Sequence, residues 1–201
     1  MPPEVVFRLL QALILVGFVA NRAYYNRKLP APEQDTLEKQ DQGGLGRLAE
    51  LLALPALLGA AAYVANPAWM EWSAVDWPAW VRWGGLGLAL AGFALLRWSH
   101  QALGKNWSDR PRITQGQQLV TDGPYRRIRH PIYTAFILIL GSSLFISANW
   151  FIGGLWIAMT GLDVRSRIAF EEDRMLARFG DEYRSYRART GSLIPWLRPP
   201  S

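Results

Sequence analysis

Residues 131–164 read PIYTAFILILGSSLFISANWFIGGLWIAMTGLDV, two apolar runs separated by the dipeptide Ala148-Asn149. Each run approaches the roughly 20 apolar residues that a helix needs to cross a bilayer. Pro131 suits the first turn of a helix, because the first N–H groups of a helix have no partner within it. The stretch therefore predicts a helical hairpin in the membrane, with helices over 131–147 and 150–164.

Three further apolar stretches precede this hairpin, at 5–20, 48–65 and 80–99. The third is rich in Gly and Ala, which let helices approach closely in lipid, so we expect it to pack centrally. Together the segments predict an all-α integral membrane protein with five transmembrane helices, a helical cytoplasmic C-terminal segment and a single membrane domain over 1–201. The alternative, a soluble domain of buried helices, is disfavoured by the distribution of charge.

The basic residues alternate along the chain. Nineteen of the 22 Lys and Arg residues lie in 21–47, in 100–130 and after 164, whereas the connections 66–79 and 148–149 carry none. Cytoplasmic loops of membrane proteins are enriched in Lys and Arg. The pattern predicts an external N-terminus, with the C-terminus and the active site cytoplasmic and basic surfaces against membrane lipids. It accounts for the pI near 10 without nucleic acid as a partner.

The composition excludes several classes of protein. Half of the residues are hydrophobic, which is too many for a disordered chain. The chain has no Cys, which excludes disulfides, thiolate metal sites and cysteine nucleophiles, and its two His are too few for most His-based metal sites. It also lacks the P-loop, HExxH and GxSxG motifs. No metal site is therefore expected.

A first block of polar sequence, 117–133, reads QQLVTDGPYRRIRHPIY. Asp122-Gly123-Pro124 predicts a turn. Tyr125, His130 and Tyr133 then accompany three arginines at the start of the fourth span, where the unpaired N–H groups of a helix favour anionic ligands. A basic patch that binds anionic lipid would explain the arginines, but it would not explain the two tyrosines and the histidine.

A second block, 163–195, reads DVRSRIAFEEDRMLARFGDEYRSYRARTGSLIP. Asp163, Arg167 and Glu171 are spaced by four residues and therefore share one face of a helix. This helix is expected to leave the membrane near Arg167 and to stop near Gly180. Ionisable groups at membrane depth are functional candidates. A ladder of charges that neutralise each other explains the spacing equally well, so both interpretations stay open.

Taken together, GPYxxxRHPxY, RxxxEE and FGxxYxxY, in this order over 117–195, resemble the isoprenylcysteine carboxyl methyltransferase (ICMT) family, whose wider relatives include phospholipid methyltransferases. The first three spans carry no such signature. The resemblance implies a pocket for S-adenosylmethionine between the membrane hairpin and the C-terminal cytoplasmic segment. The residues that it implies for the cofactor are Gln117, Gln118, Leu119 and Val120 through their backbone, Tyr125, His130, Pro131, Ile132 and Tyr133 as its cradle, and Glu171 for one of its polar groups. Arg167 would face the methyl acceptor, and the pocket would be closed by Tyr183, Tyr186 and Pro195.

The resemblance implies a methyltransferase that uses S-adenosylmethionine and acts on a lipophilic acceptor entering from the bilayer. A carboxylate acceptor, as in isoprenylcysteine O-methylation, needs no general base, and Arg167 can bind it through two hydrogen bonds. An amine or a thiol acceptor remains open. Two competing hypotheses are an NADPH-dependent enzyme like the sterol reductases, which resemble the same C-terminal region, and a non-catalytic lipid-binding membrane protein. The sequence leaves the oligomeric state open.

Overall fold

The computed structural model describes residues 4–27, 43–104 and 118–196. Within these ranges the chain is helical, and its extended pairings are two isolated backbone bridges, Ala74 with Asn149 and Ile128 with Gly191. Two short 3-10 helices, Pro67–Ser73 and Gly123–Arg126, lie in the connections. The α-helices of these ranges are α1 (Glu4–Arg27), α2 (Gly43–Ala65), α3 (Ala79–Leu103), α4 (Pro131–Ser147) and α5 (Trp150–Arg189).

Three of these helices, α1, α2 and α3, are long and apolar enough to cross a membrane by length and composition. α4 is apolar but has 17 residues, whereas α5 has 40 and becomes strongly charged after its first half. The predicted all-α fold is confirmed. The count of five spans and the orientation of the termini stay predictions.

The hairpin between α4 and α5 is closed by its own turn residues. Ala148 adopts a left-handed conformation with φ of 48°. The Asn149 side chain accepts a hydrogen bond from the backbone N–H of Ile152 at 3.0 Å and so caps the start of α5. Its amide also donates to the carbonyl of Met70 at 2.9 Å. The turn predicted at Ala148-Asn149 is therefore present and is anchored to the 3-10 helix that follows α2.

Close packing of α3 against α4 depends on glycines. A Cβ atom at Gly92 would lie 2.6 Å from Cγ1 of Ile139, and one at Gly85 would lie 2.7 Å from Cβ of Phe145. No other pair of described helices packs as extensively as α3 and α4. The close approach predicted for the third apolar stretch is thus present, because its small residues allow the two backbones to approach. Its predicted central position is wrong, because α3 packs mainly against α4, whereas α4 packs against α1, α3 and α5.

The hairpin also has one glycine without room for a side chain. A Cβ at Gly153 would lie 2.3 Å from both Cα and Cβ of Leu144, whereas a Cβ at Gly154 would meet nothing within 4 Å. Gly153→Ala should therefore destabilise the protein by about 1–3 kcal/mol, as overpacking of a tight contact does. Thermal unfolding of the purified variants in detergent tests this, with Gly154→Ala as the matched control. Equal melting temperatures for the two variants would contradict this packing.

A polar network closes the end of the bundle remote from the start of α4. The guanidinium of Arg82 donates to both carboxylate oxygens of Glu4, at 2.7 and 2.8 Å, and to the carbonyl of Ile146. The hydroxyl of Tyr63 donates to Glu4 at 2.6 Å. A cavity of about 550 Å³ opens beside these residues. The network therefore joins α1, α2, α3 and α4 at a site whose charged groups already have partners.

Candidate active site

The approach to α4 is built around a buried tyrosine. Gly123 has φ of 59°, which a glycine adopts without strain, and begins the short helix that carries Tyr125. Tyr125 is buried, and its carbonyl accepts a hydrogen bond from the hydroxyl of Tyr186 at 2.6 Å. Block one is thus fixed to the last part of α5.

His130, which precedes the first residue of α4, lies between two carboxylates of α5. Its Nδ1 is 3.4 Å from Oε2 of Glu171, and its Nε2 is 3.3 Å from Oε1 of Glu172. One turn along α4, the hydroxyl of Tyr133 donates to Oε1 of Glu171, and the Tyr133 ring stacks on that of His130. The structure therefore brings together His130, Tyr133 and Glu171, which the sequence places in two separate blocks.

Glu172 is a residue of this cluster that the sequence analysis did not single out. Its carboxylate accepts from Nε of Arg129 at 2.9 Å and lies 3.4 Å from Nε of Arg187. Arg129 also donates to the carbonyls of Arg187 and Thr190. Glu172 lies in the RxxxEE motif, and Arg129 lies in the RHP motif. These two motifs were the sequence signal that could have identified both residues.

Arg167 lies one helical turn before Glu171 on α5. Its Nε contacts both carboxylate oxygens of Asp163, at 2.9 and 3.0 Å. The shared face predicted for Asp163, Arg167 and Glu171 is confirmed. Asp163 and Arg167 also form an ion pair, as the ladder of charges predicted. Glu171 instead contacts the side chains at the start of α4.

The tail returns over the start of α4. α5 changes direction at Gly180, whose φ of 52° and ψ of −121° are not helical, as the predicted stop at this glycine requires. The backbone N–H groups of Arg129 and His130 then donate to the carbonyls of Gly191 and Ser192, at 2.8 and 3.0 Å. The hydroxyl of Thr134 donates to the carbonyl of Leu193 at 2.6 Å. Residues 191–193 are therefore an integral part of the site.

The remaining residues that the resemblance implied are placed differently. Gln117 lies outside the described residues. Tyr183 and Tyr186 are buried, whereas Pro195 is exposed. Ile132 packs against the hydrophobic core between α1, α3 and α4, so its side chain is not part of the polar cluster.

The backbone before the turn offers a further feature. Gln118 is exposed, and Leu119 and Val120 are half-buried. The backbone N–H and C=O groups of these three residues make no hydrogen bond to another residue within the described ranges. Such groups can serve a ligand, because polar backbone atoms that leave water need partners.

The electrostatics of the cluster favour charged forms. Burial lowers the pKa of His130, but its hydrogen bonds to Glu171 and Glu172 outweigh burial and raise that pKa above its usual value. The hydrogen bond from His130, followed by that from Arg129, lowers the pKa of Glu172 to about 2 against the effect of burial. Burial raises the pKa of Tyr186 to about 12, so its hydroxyl stays a neutral donor. The two carboxylates thus favour the cationic form of the buried His130.

The donor set fits S-adenosylmethionine. The Glu171 side chain is 25% exposed, so its carboxylate, although held by Tyr133 and His130, can accept further hydrogen bonds from a bound molecule. The cofactor carries a sulfonium and an amino group, both cationic, and a carboxylate favours both. The backbone at 118–120, which has no hydrogen-bond partner within the described ranges, adds donors and acceptors for the neutral polar atoms of the cofactor. In the described ranges, no group of three or more His, Cys, Asp or Glu could hold a metal ion.

These features define a helical membrane protein with a polar site where α4 begins. Residues 85–177 match the model of the isoprenylcysteine carboxyl methyltransferase (ICMT) family. The resemblance predicted from the sequence is thus confirmed over this segment. The match begins in α3, so the similarity to the family includes most of the third apolar stretch. The motifs after residue 117 had not indicated this.

The names of three relatives refer to two different methyl acceptors. The chain is 39% identical over 74 residues to methanethiol S-methyltransferase 1 of Bradyrhizobium diazoefficiens, covering 37% of this chain and 25% of that protein. It is 35% identical over 72 residues to methanethiol S-methyltransferase of Mycobacterium tuberculosis, covering 36% and 28%. It is 38% identical over 84 residues to protein-S-isoprenylcysteine O-methyltransferase of Schizosaccharomyces pombe, covering 39% and 34%. The matches thus span about a quarter to a third of each relative.

A solved structure shares the fold. The eukaryotic intramembrane Ras methyltransferase ICMT superposes with a TM-score of 0.59 at 21% identity, covering 75% of this chain and 53% of that one. Because the similarity extends well beyond the motifs, it includes most of the helical bundle. This likeness shows the fold, and the apolar helices and the family match together support an integral membrane protein.

Proposed function

We propose that this protein is an integral-membrane methyltransferase that transfers a methyl group from S-adenosylmethionine to a lipophilic acceptor. The observation that carries the proposal is the meeting of Glu171, His130 and Tyr133 from α4 and α5, inside the segment that matches the ICMT family. These residues form a buried, charge-compensated cluster, which is typical of a functional site rather than of a lipid-binding surface.

In this proposal the cofactor is held by Glu171 and by the backbone of 117–120, with Tyr125 and residues 130–133 as its cradle. When bound, S-adenosylmethionine supplies a methyl group on a positively charged sulfur. Glu171 holds a cationic group of the cofactor, and Tyr133 and His130 fix the orientation of Glu171. The burial of His130 and Tyr125 keeps water from this side of the cofactor.

Arg167 orients the acceptor. Asp163 holds Nε of the guanidinium and thereby fixes its plane, so the side chain is pre-organised to align a carboxylate. A carboxylate attacks without losing a proton, and therefore the site needs no general base. On this argument the acceptor is a lipophilic carboxylate, such as an isoprenylcysteine, which enters from the bilayer.

A thiol is a second candidate acceptor, because two of the relatives named above are methanethiol S-methyltransferases. A thiol must lose its proton as it is methylated, and the carboxylate of Asp163, beside Arg167, is the group placed to receive it. Comparing the methylation of an isoprenylated thiol with that of an isoprenylated carboxylate separates the two acceptors.

The proposed arrangement in the membrane has five spans, an external N-terminus and a cytoplasmic C-terminus, within one domain over 1–201 whose cofactor core is 117–195. α4 is about 25 Å long at 1.5 Å per residue, close to the thickness of the hydrocarbon core of about 30 Å. The nineteen basic residues on alternate connections support this orientation.

Titration of the purified full chain with S-adenosylhomocysteine and, separately, with NADPH tests the proposal. We expect saturable binding of S-adenosylhomocysteine, because Glu171 and the backbone of 118–120 remain in contact with the amino acid and nucleoside parts of the product. Binding of NADPH instead would favour a reductase. If neither molecule binds, both enzymatic hypotheses fail and a lipid-binding protein remains.

A further inference from the structure

Glu172 connects three parts of the chain. It lies on α5, its Oε1 accepts from Arg129 and His130 at the start of α4, and its Oε2 faces Arg187 in the segment after Gly180. The side chain of Glu172 is 12% exposed, and that of Arg129 is 9% exposed. The carboxylate is thus largely removed from water and is surrounded by three basic groups.

The two ring nitrogens of His130 both face carboxylate oxygens. Nδ1 faces Glu171 at 3.4 Å, and Nε2 faces Glu172 at 3.3 Å. A neutral imidazole has one N–H group, so one nitrogen would point a lone pair at a carboxylate. Only the imidazolium form can donate to both residues, and this arrangement therefore favours the cation.

We propose that Glu172 is a positioning residue, which holds His130 as a cation in a fixed orientation and thereby fixes the carboxylate of Glu171 for the cofactor. The inference rests on the proposed function, because it concerns the residue assigned to the cofactor. Glu172 is not assigned a contact with the cofactor or with the reacting atoms. It acts through His130, and its pairing with Arg187 holds the returning tail in place.

The charged groups around His130 come from each element packed against it. Glu171 and Glu172 face it from α5, and Arg129 is its neighbour in the chain. Tyr133 stacks on its ring at 5.7 Å between centroids. The two carboxylates raise the pKa of His130 despite burial, so the cation is present below that raised pKa and is lost as pH rises through it.

Removing the charge of Glu172 should make cofactor binding depend on pH. In Glu172→Gln the pKa of His130 falls, because one of its two carboxylates is gone while burial still disfavours the cation. Below that pKa we expect an affinity for S-adenosylhomocysteine close to that of the wild type, and above it a loss of about tenfold, which is the effect of one charge-assisted hydrogen bond. The wild type should vary less over the same range.

Two further variants complete the experiment. Glu172→Asp restores the charge and should bring back most of the wild-type pH profile, whereas Asp173→Asn removes an exposed charge one residue further along α5 and should change nothing. A Glu172→Gln profile parallel to that of the wild type, weakened equally at every pH, would show a merely structural role and overturn the proposal.

A spectroscopic measurement makes the test independent of the cofactor. The chain has two histidines, His100 and His130, so NMR of ¹⁵N-histidine-labelled protein resolves His130 once His100→Gln has assigned the other signal. We expect both nitrogens of His130 to be protonated at pH 7 in the wild type. A neutral His130 there would overturn the inference, whereas absent binding of S-adenosylhomocysteine with a protonated His130 would refute the proposed function alone.

Discussion

Arg167→Ala should abolish methyl transfer while leaving the affinity for S-adenosylhomocysteine within about threefold of that of the wild type. Arg167 is proposed to align the acceptor, and misalignment of one reactant costs about 10²-fold or more in rate. Its Nε donates to Asp163, one turn earlier on α5, whereas the proposed cofactor residues lie at the start of α4 and at Glu171. Turnover at saturating cofactor and isothermal titration with S-adenosylhomocysteine separate the two effects.

Two other arginine variants sharpen this test. Arg165→Ala removes an exposed guanidinium two residues earlier on α5 and should retain activity. Arg167→Lys keeps the charge but loses the planar pair of donors, so it should also be strongly impaired. If Arg167→Ala weakened cofactor binding as much as turnover, Arg167 would belong to the cofactor side of the site.

Glu171→Gln should weaken cofactor binding first. The variant keeps the size of the side chain but loses the charge that attracts the cationic groups of the cofactor, and its hydrogen bonds with Tyr133 and His130 become weaker. Loss of a charge-assisted hydrogen bond costs about 1.5–3 kcal/mol, which corresponds to a rise of about 10–100-fold in the dissociation constant. Turnover at saturating cofactor should fall less.

The behaviour of Glu171→Gln with pH distinguishes it from Glu172→Gln. Because Glu171 is proposed to contact the cofactor directly, its loss should weaken binding at every pH, whereas the loss of Glu172 acts through the titration of His130. Asp173→Asn serves as the exposed control for both variants. An unchanged dissociation constant in Glu171→Gln would contradict the role assigned to Glu171.

The helices and their turns were predictable because their signals are local. The apolar lengths of 131–147 and 150–164, Pro131 and the Ala148-Asn149 turn predict the hairpin that the structure contains. The ends of the helices were less predictable. α1 continues to Arg27, beyond the apolar run, because hydropathy marks the part that enters lipid whereas a helix continues as long as its backbone hydrogen bonds do.

The site was predictable only in part. The face shared by Asp163, Arg167 and Glu171 follows from helical periodicity alone. The partners of Glu171 do not, because they depend on how α5 is rotated against α4. Successive helical residues point about 100° apart, so the sequence cannot show that Glu171 and Glu172 both reach one imidazole. They do so because His130 lies between them, with a ring nitrogen toward each.

The sequence by itself therefore determined that this is an all-α membrane chain, where its hairpin turns and which of its blocks resemble the ICMT family. It could do so because hydropathy, turn residues and motif spacing act over short distances along the chain. The tertiary structure decided which groups meet. It placed Glu172 between Arg129, His130 and Arg187 and returned residues 191–193 to the start of α4. Except for the pair of Glu172 and Arg187, these contacts join residues about 40–60 positions apart in sequence. Packing between helices, rather than any local pattern, brings them within hydrogen-bonding distance.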